Sequence, residues 1–257
     1  MFPFWDWRLE SRQNPQTRMS ALRRQDFLAR NKWRRHSPVV NPRSVKPDPR
    51  PLASGFHSRG VLPHLKRKGA SYFVTFRLAG TLPGKVLQRL KAEREIITAQ
   101  ALAARRPLTW HEQEELFRWY SARVDKYLDA GHGDCWLARP EVADLVAGVM
   151  KFHAGERFDL DAWVVMPNHA HAVLCPKSDW TLSEILKSWK GFSAREANRL
   201  LKRTGTTFWQ VESFDHLVRD DDDLHRCCHY TRMNPVNAGL CKQPEAWKWS
   251  SAYRPAM

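Results

Sequence analysis

Two apolar runs separated by a Pro-Asn step constrain the fold of this chain more than any other feature of its sequence. Residues 160–166 and 169–175 are each long enough for one strand, and Pro167 and Asn168 between them favour a tight turn. Such a short connection can join only antiparallel strands. The sequence therefore predicts a β-hairpin.

Further strands and helices flank this hairpin. Residues 71–78 alternate aromatic and β-branched side chains and predict the first strand. Thr181 or Ser183 can cap a helix, and the acidic run at residues 220–223 suits the start of another. Because the residue before a proline avoids the helical region, that helix should end near Asn234. The other predicted elements are helices over residues 86–97, 110–128 and 140–152, a short strand within 131–137 and an extended segment at 207–210.

The charge of the chain is strongly positive and unevenly distributed. Among 257 residues, 42 Lys and Arg oppose 27 Asp and Glu, and residues 1–60 hold 13 of these basic and four of these acidic residues with seven prolines. Such an excess favours a polyanionic partner. We expect a basic, Pro-rich extension over residues 1–59, with room for a short helix at 16–33, and one domain over residues 60–257. The extension is either a phosphate-contacting arm or a solvated tail, and its composition does not decide between them.

Membrane and disulfide-based classes are disfavoured by the sequence. It contains no run of 18 apolar residues and no N-terminal pattern of a secretory signal. Its five cysteines include no C-x-x-C pair, which argues against both a disulfide framework and a cysteine zinc cage. We therefore expect a cytoplasmic protein that does not bind a membrane.

A histidine pair in the second strand of the hairpin is the first candidate for chemistry. His169 and His171 are two residues apart, so on a strand both side chains leave the same face of the sheet. Two imidazoles placed in this way can bind one divalent ion. The alternative is an ordinary half-buried pair without a ligand.

Two other groups of residues have the spacing of a nucleic-acid-processing site. Tyr230 and Asn234 are four residues apart, which places a phenol and an amide oxygen on one helix face within reach of one phosphate. A core tyrosine followed by a helix-ending asparagine is the ordinary alternative. Trp189 between two lysines, and Trp209 further on, suit stacking on single-stranded DNA, whereas buried tryptophans beneath extended lysines explain the same pattern.

These features occur within three linked motifs. Residues 163–171 read WVVMPNHAH, residues 208–219 read FWQVESFDHLVR, and residues 230–240 read YTRMNPVNAGL. The first resembles the HUH motif of the IS200-like single-tyrosine transposases, and the other two resemble segments of the REP-associated tyrosine transposases within that superfamily. The resemblance extends over about residues 60–253. Ala170 departs from it, because the middle residue of the HUH motif is usually bulkier.

The resemblance implies a fold and a set of roles. The fold is α+β, a ferredoxin-like antiparallel sheet with helices packed on one face. His169 and His171 would be metal ligands for Mg²⁺ or Mn²⁺, Asn234 the third ligand, and Tyr230 the nucleophile that forms a 5′-phosphotyrosine bond. The substrate would be single-stranded DNA near REP-type hairpins, cut and rejoined by a monomer or homodimer. The residues expected to contact this DNA are Lys187, Trp189, Lys190, Arg195, Trp209, Gln210 and Arg219.

Three other classes are compatible with the same residues. A catalytically silent DNA-binding protein would keep the basic surface without using Tyr230. An ordinary insertion-sequence transposase or a plasmid-type HUH nickase would share the histidine pair, although the segment at residues 208–219 favours the REP-associated type. A structural zinc module would need its metal to fold.

Overall fold

The structure, a computed structural model, describes residues 56–58, 63–65, 69–104, 106, 108–177 and 179–255. The helix predicted at residues 16–33, and nearly all of the predicted N-terminal extension, lie outside the described residues. The first described elements are two short strands, β1 (Phe56–Ser58) and β2 (Pro63–Leu65), which pair with each other in antiparallel orientation.

Four strands form the main sheet. They are β3 (Tyr72–Arg77), β4 (Phe158–Val165), β5 (His169–Pro176) and β6 (Phe214–Leu217). Their order is β4-β5-β3-β6, and every neighbouring pair is antiparallel. This is the order of a ferredoxin-like sheet, in which two strand-helix-strand units interlock. The predicted hairpin and the predicted fold class are confirmed.

The described residues form six α-helices. These are α1 (Gly84–Ala103), α2 (Trp110–Tyr120), α3 (Lys126–Asp129), α4 (Pro140–Lys151), α5 (Leu182–Leu200) and α6 (Asp221–Asn237). Thr181 caps α5 in a capping box with Glu184, which confirms one of the two predicted caps. None of the helices in this part of the chain is long and apolar enough to cross a membrane.

Two local predictions were wrong. Residues 131–137 form turns and the start of a 3₁₀ turn rather than a strand, because the Leu137 N–H donates to Pro167 O in the hairpin turn at 3.0 Å instead of joining a sheet edge. Helix α6 continues through Pro235 to Asn237. Its last turn is held by other bonds, including one of 2.9 Å from the Ala238 N–H to Asn234 O. The buried packing of this turn outweighs the local preference of a residue before proline.

Helices cover both faces of the sheet, which corrects the one-face arrangement that the resemblance implied. Val74 and Phe76 of β3 point to one face, where they pack with α4 and α5. Phe73, which precedes Val74, points to the other face and packs with α1, α2 and α6. Full burial of each such side chain contributes about 1.5–3 kcal/mol. The second face also carries the histidine pair, since His171 lies opposite Thr75 in the strand register.

Candidate active site

The two histidines of the hairpin meet at one point. His169 and His171 leave the same face of β5, are fully buried, and have their Nε2 atoms 3.0 Å apart. The far nitrogen of each ring is held by a neighbour. His171 Nδ1 bonds Thr75 Oγ1 at 2.8 Å, and His169 Nδ1 bonds Asn168 Oδ1 at 2.7 Å. The spacing of two residues on a strand therefore brings the two imidazoles together, as the sequence predicted.

Both rings are in the protonation state that a metal requires. Burial lowers the pKa of His169 to about 3, against a smaller opposing effect of the Asn234 side chain. Burial also lowers the pKa of His171 well below its ordinary value, and the neighbouring His169 adds to the effect. Neutral imidazole is the metal-binding form. Because metal–nitrogen bonds are about 2.0–2.1 Å long, nitrogens 3.0 Å apart can bind one ion.

Two oxygen atoms in this region have no hydrogen-bond partner in the part of the chain that the structure describes. They are Asn234 Oδ1 in α6 and Asp129 Oδ1 in α3, both buried. The Asp129 oxygen lies 3.9 Å from His169 Nε2, and burial raises the pKa of this carboxyl to about 7. Buried oxygens without donors are costly, and a hard divalent cation would satisfy them. Two imidazoles with amide and carboxylate oxygens fit Mg²⁺ or Mn²⁺.

Tyr230 lies beside this group on α6. Its ring contacts His171 and Phe73 edge to face, each with a centroid distance of 5.7 Å. The Tyr230 hydroxyl donates a short hydrogen bond to Asp125 Oδ2. Burial and the two nearby carboxylates, Asp125 and Asp129, raise the pKa of Tyr230. The phenol hydroxyl is thus directed at a buried carboxyl group.

Sequence reasoning missed both aspartates. Asp125 ends a π-helical turn, Ser121–Asp125, which connects α2 to α3, and such turns are frequent at functional sites. Burial raises the pKa of Asp125 well above its ordinary value, against the opposing hydrogen bond from Tyr230. The available signal was that Asp125 directly follows the apolar Val124, and Asp129 the apolar Leu128, both of which are buried. Acids next to the apolar face of a helix are unusual unless they are paired or functional.

The two tryptophans expected to stack on DNA are core residues. Trp189 is 3% exposed and packs on Phe76 and Phe158, while Trp209 is 5% exposed and packs on Phe76. The Trp209 N–H donates to Ser193 Oγ at 2.8 Å. Neither ring face can receive a base in this arrangement. The stacking prediction is therefore corrected to a packing role, because indoles at the centre of the sheet bury more apolar area than they could at the surface.

The ammonium group of Lys190 is bound by acceptors within the protein rather than free to contact DNA. Its Nζ donates to Gln210 O at 2.6 Å, to Val211 O at 2.7 Å and to Ser213 Oγ at 3.2 Å. Burial lowers the pKa of Lys190 to about 8, and the positive charge of Arg77 adds to this. Lys190 thus anchors the segment of residues 210–213 to α5.

Of the four remaining predicted DNA contacts, Gln210 is half-buried and the other three lie at the surface. Lys187 is exposed on α5, and Arg195 is exposed on the same helix with Glu196 at 3.5 Å. Arg219 is also exposed and forms ion pairs with Asp220 at 3.1 Å and Glu114 at 3.9 Å. Lys187 and Arg195 are consequently the better placed of these residues for contacts with phosphate.

A second cluster of potential metal ligands has a different role. His216, Asp223 and Cys227 are buried together between β6 and α6. Asp223 Oδ2 bonds His216 Nε2 at 2.9 Å, and Oδ1 accepts from Arg226 at 2.8 Å. Burial opposes the charge of Asp223, but these hydrogen bonds outweigh it and lower the pKa. With a guanidinium already on the carboxylate, the cluster is an ion pair that joins β6 to α6.

Part of this chain, including the histidine pair and Tyr230, matches a known protein family. Residues 140–232 fit the family model described as Transposase IS200 like. The predicted resemblance to the IS200-like transposases is confirmed over these residues. The matched segment contains His169, His171 and Tyr230, whereas Asp125, Asp129 and Asn234 lie outside it.

Two relatives and one solved structure are similar to parts of this chain. The REP-associated tyrosine transposase of Escherichia coli is 30% identical over 112 residues, which cover 41% of this chain and 61% of that protein. A relative from Haemophilus influenzae is 26% identical over 106 residues, and this match covers 60% of the relative's length. The chain thus spans about three fifths of these relatives. The solved structure of a REP-associated tyrosine transposase bound to a REP hairpin covers 76% of this chain and 81% of its own, with 18% identity and a TM-score of 0.37.

Proposed function

We propose that this chain is a metal-dependent endonuclease and strand transferase for single-stranded DNA, with Tyr230 as the nucleophile. The observation that carries the proposal is the pair of buried imidazole nitrogens 3.0 Å apart, with the unsatisfied Asp129 Oδ1 3.9 Å from His169 Nε2, beside a tyrosine hydrogen-bonded to a buried carboxylate. The name of the Escherichia coli relative supports REP-type hairpins as the substrate. We further propose that the protein acts in the cytoplasm as a monomer or homodimer.

The reaction is a phosphoryl exchange that needs no nucleotide cofactor. The Tyr230 oxygen attacks phosphorus, the bond between phosphorus and the 3′ oxygen breaks, and this oxygen leaves as a 3′-hydroxyl after gaining one proton, which balances the proton that the phenol loses. The 5′ end of the DNA remains on the tyrosine as a phosphodiester. Because that bond retains the energy of the one it replaced, a second 3′-hydroxyl can reverse the step and join another strand.

Different side chains would accept the proton and hold the metal ion in this reaction. Asp125 holds the Tyr230 hydroxyl by a hydrogen bond and takes its proton as the oxygen attacks. His169, His171, Asn234 and Asp129 would hold Mg²⁺ or Mn²⁺. When bound, this ion withdraws charge from the scissile phosphate and orients it.

The proposal is tested with a hairpin oligonucleotide that carries single-stranded flanks and a label on each side of the cut. With Mg²⁺ or Mn²⁺, we expect a protein band that retains the label on the 3′ side of the cut, since the 5′ phosphate stays on the protein. Tight hairpin binding without any covalent product, under all metal conditions, would identify a silent DNA-binding protein instead.

Replacing Asp125 with asparagine tests the assigned proton acceptor. Asp125→Asn keeps the shape of the side chain but cannot take up the phenol proton, so adduct formation should slow by about 10²–10⁴-fold, with unchanged affinity for uncut hairpin DNA. The measurement is a single-turnover time course of the covalent band. Asp159→Asn, which alters an exposed aspartate of β4, is the matched control. Equal rates for both variants would remove Asp125 from the reaction.

Metal removal distinguishes a catalytic ion from a structural one. After EDTA treatment, we expect no covalent adduct and a thermal unfolding midpoint within a few degrees of the untreated protein, because the core on both sheet faces is apolar and needs no metal. Readdition of Mg²⁺ or Mn²⁺ should restore the adduct. Loss of the cooperative unfolding transition on chelation would support the structural zinc module.

The N-terminal extension is proposed as a phosphate-contacting arm attached to a catalytic domain over residues 60–257. Deleting residues 1–50 removes 12 Lys and Arg and four Asp and Glu. The slope of log affinity against log salt should flatten by about two to four units, since each lost phosphate contact contributes about 0.7–0.9. Adduct formation at saturating DNA should persist. An unchanged slope would place the main phosphate contacts in the domain, around Lys187 and Arg195.

A further inference from the structure

A cavity of about 310 Å³ adjoins the candidate active site on the same sheet face. Thr75 and Arg77 of β3 line it, together with α1, α2 and residues 210–213. Thr75 Oγ1 also bonds His171 Nδ1 at 2.8 Å, and Arg77 lies opposite His169 in the strand register. Because opposed residues of neighbouring strands have Cβ atoms about 4.5–5.5 Å apart, the cavity begins beside the histidine pair.

Positive charge predominates in the lining of the cavity. Arg77 is 9% exposed and Arg94 7% exposed, and Lys91 is a third, exposed cation in the lining. Glu212 is the acid among the described lining residues. Arg77 Nη1 donates to Thr81 Oγ1 at 2.8 Å, but Arg94 Nη2 is buried without a hydrogen-bond partner among the described residues. A buried guanidinium with an unused donor is costly, and a phosphate oxygen is the acceptor that suits it.

The rest of the lining is apolar. Leu82, Leu87 and Leu90 contribute to it, and so does the indole of Trp119. The Trp119 N–H donates to Glu93 Oε2 at 3.0 Å, which leaves the ring as an apolar surface. Aromatic and aliphatic walls of this kind receive nucleobases without sequence preference. The volume is at the lower end of the range for small-molecule sites.

We propose that this cavity binds one nucleotide of the single-stranded DNA next to the cleaved phosphate. The nucleotide phosphate would lie on Arg94 and Arg77, and its base against Trp119 and the leucines. The inference rests on the proposed function, because it assigns the neighbouring subsite of the same DNA strand. In this arrangement, residues 210–213 form one wall of the subsite, and Lys190 holds them in place.

The test uses the full chain with Tyr230→Phe, so that binding is measured without cleavage. Hairpin oligonucleotides carry one uncharged methylphosphonate linkage at successive positions of the single-stranded flanks, and affinity is read by fluorescence anisotropy. We expect one flank position at which the neutral linkage weakens binding about tenfold. The Arg94→Gln variant should bind the unmodified oligonucleotide about tenfold more weakly than the protein with Arg94. Placing the neutral linkage at the sensitive position should not weaken its binding any further, because the same contact has been removed. Arg199→Gln, an exposed arginine on α5, is the matched control.

Lys91→Gln repeats the test with an exposed side chain whose replacement leaves the core intact, and a loss of about threefold is expected. The inference is overturned if Arg94→Gln and Lys91→Gln both bind the hairpins as the control does. Free deoxynucleoside monophosphate is also tested as a competitor. The inference is overturned if Arg94→Gln weakens the binding of this mononucleotide but not the binding of the hairpins. Adduct formation by the protein with Tyr230 intact is measured separately. If adducts form but Arg94→Gln does not weaken hairpin binding, only the subsite is refuted. If Arg94→Gln weakens binding but no adducts form, only the proposed reaction is refuted.

Discussion

Tyr230→Phe is expected to eliminate covalent protein–DNA adducts. The substitution removes one hydroxyl, and that oxygen is the atom that bonds to phosphorus in the proposed reaction. The variant loses the hydrogen bond to Asp125, at a cost of about 1–3 kcal/mol, while its ring contacts with His171 and Phe73 remain. We therefore expect cooperative unfolding and unchanged binding of uncut hairpin DNA. The measurement is the covalent band on a denaturing gel.

Tyr253→Phe is the control for this experiment, because Tyr253 is 36% exposed and lies outside the site. It should form adducts at the parent rate. Adducts in Tyr230→Phe at that same rate would show that another residue is the nucleophile.

His169→Ala and His171→Ala are each expected to lower metal-dependent cleavage by more than about 100-fold. Substituting residues that merely support metal ligands costs about 10–100-fold, and these histidines are proposed as ligands themselves. Both variants lose a buried ring, so their stability should fall, but they should still unfold cooperatively because the apolar clusters on both sheet faces remain. The measurement pairs a metal titration of adduct formation with a thermal melt.

His225→Ala, an exposed histidine on α6, is the matched control and should titrate like the parent protein. Loss of the folded state in both histidine variants would instead favour a packing role for the pair. Cleavage at the parent rate would contradict metal binding there.

Much of the site follows from spacing along the chain. The positions of His169 and His171 on one strand face, and of Tyr230 and Asn234 on one helix, depend on the period of a single element. Local signals of this kind also predicted the hairpin and a helix cap at Thr181 or Ser183, of which Thr181 is the one observed. They require no knowledge of how elements pack.

The other features depend on tertiary packing. Asp125 and Asp129 precede the histidines by about 40 residues, and only the π-helical turn before α3 directs them to the site. Trp189 and Trp209 lie among basic residues in sequence, but both pack on Phe76 within the core. A lysine or arginine beside a tryptophan in sequence therefore does not show that the ring is exposed.

Mapping the DNA attachment point by mass spectrometry tests the central claim most directly. The protein is incubated with a hairpin oligonucleotide and Mg²⁺ or Mn²⁺, digested with protease and nuclease, and analysed for nucleotide-modified peptides. We predict one modified peptide, carrying the 5′ phosphate of the residual nucleotide on the Tyr230 oxygen. Attachment at any other residue, or complete strand cleavage without an attached nucleotide, would contradict the account.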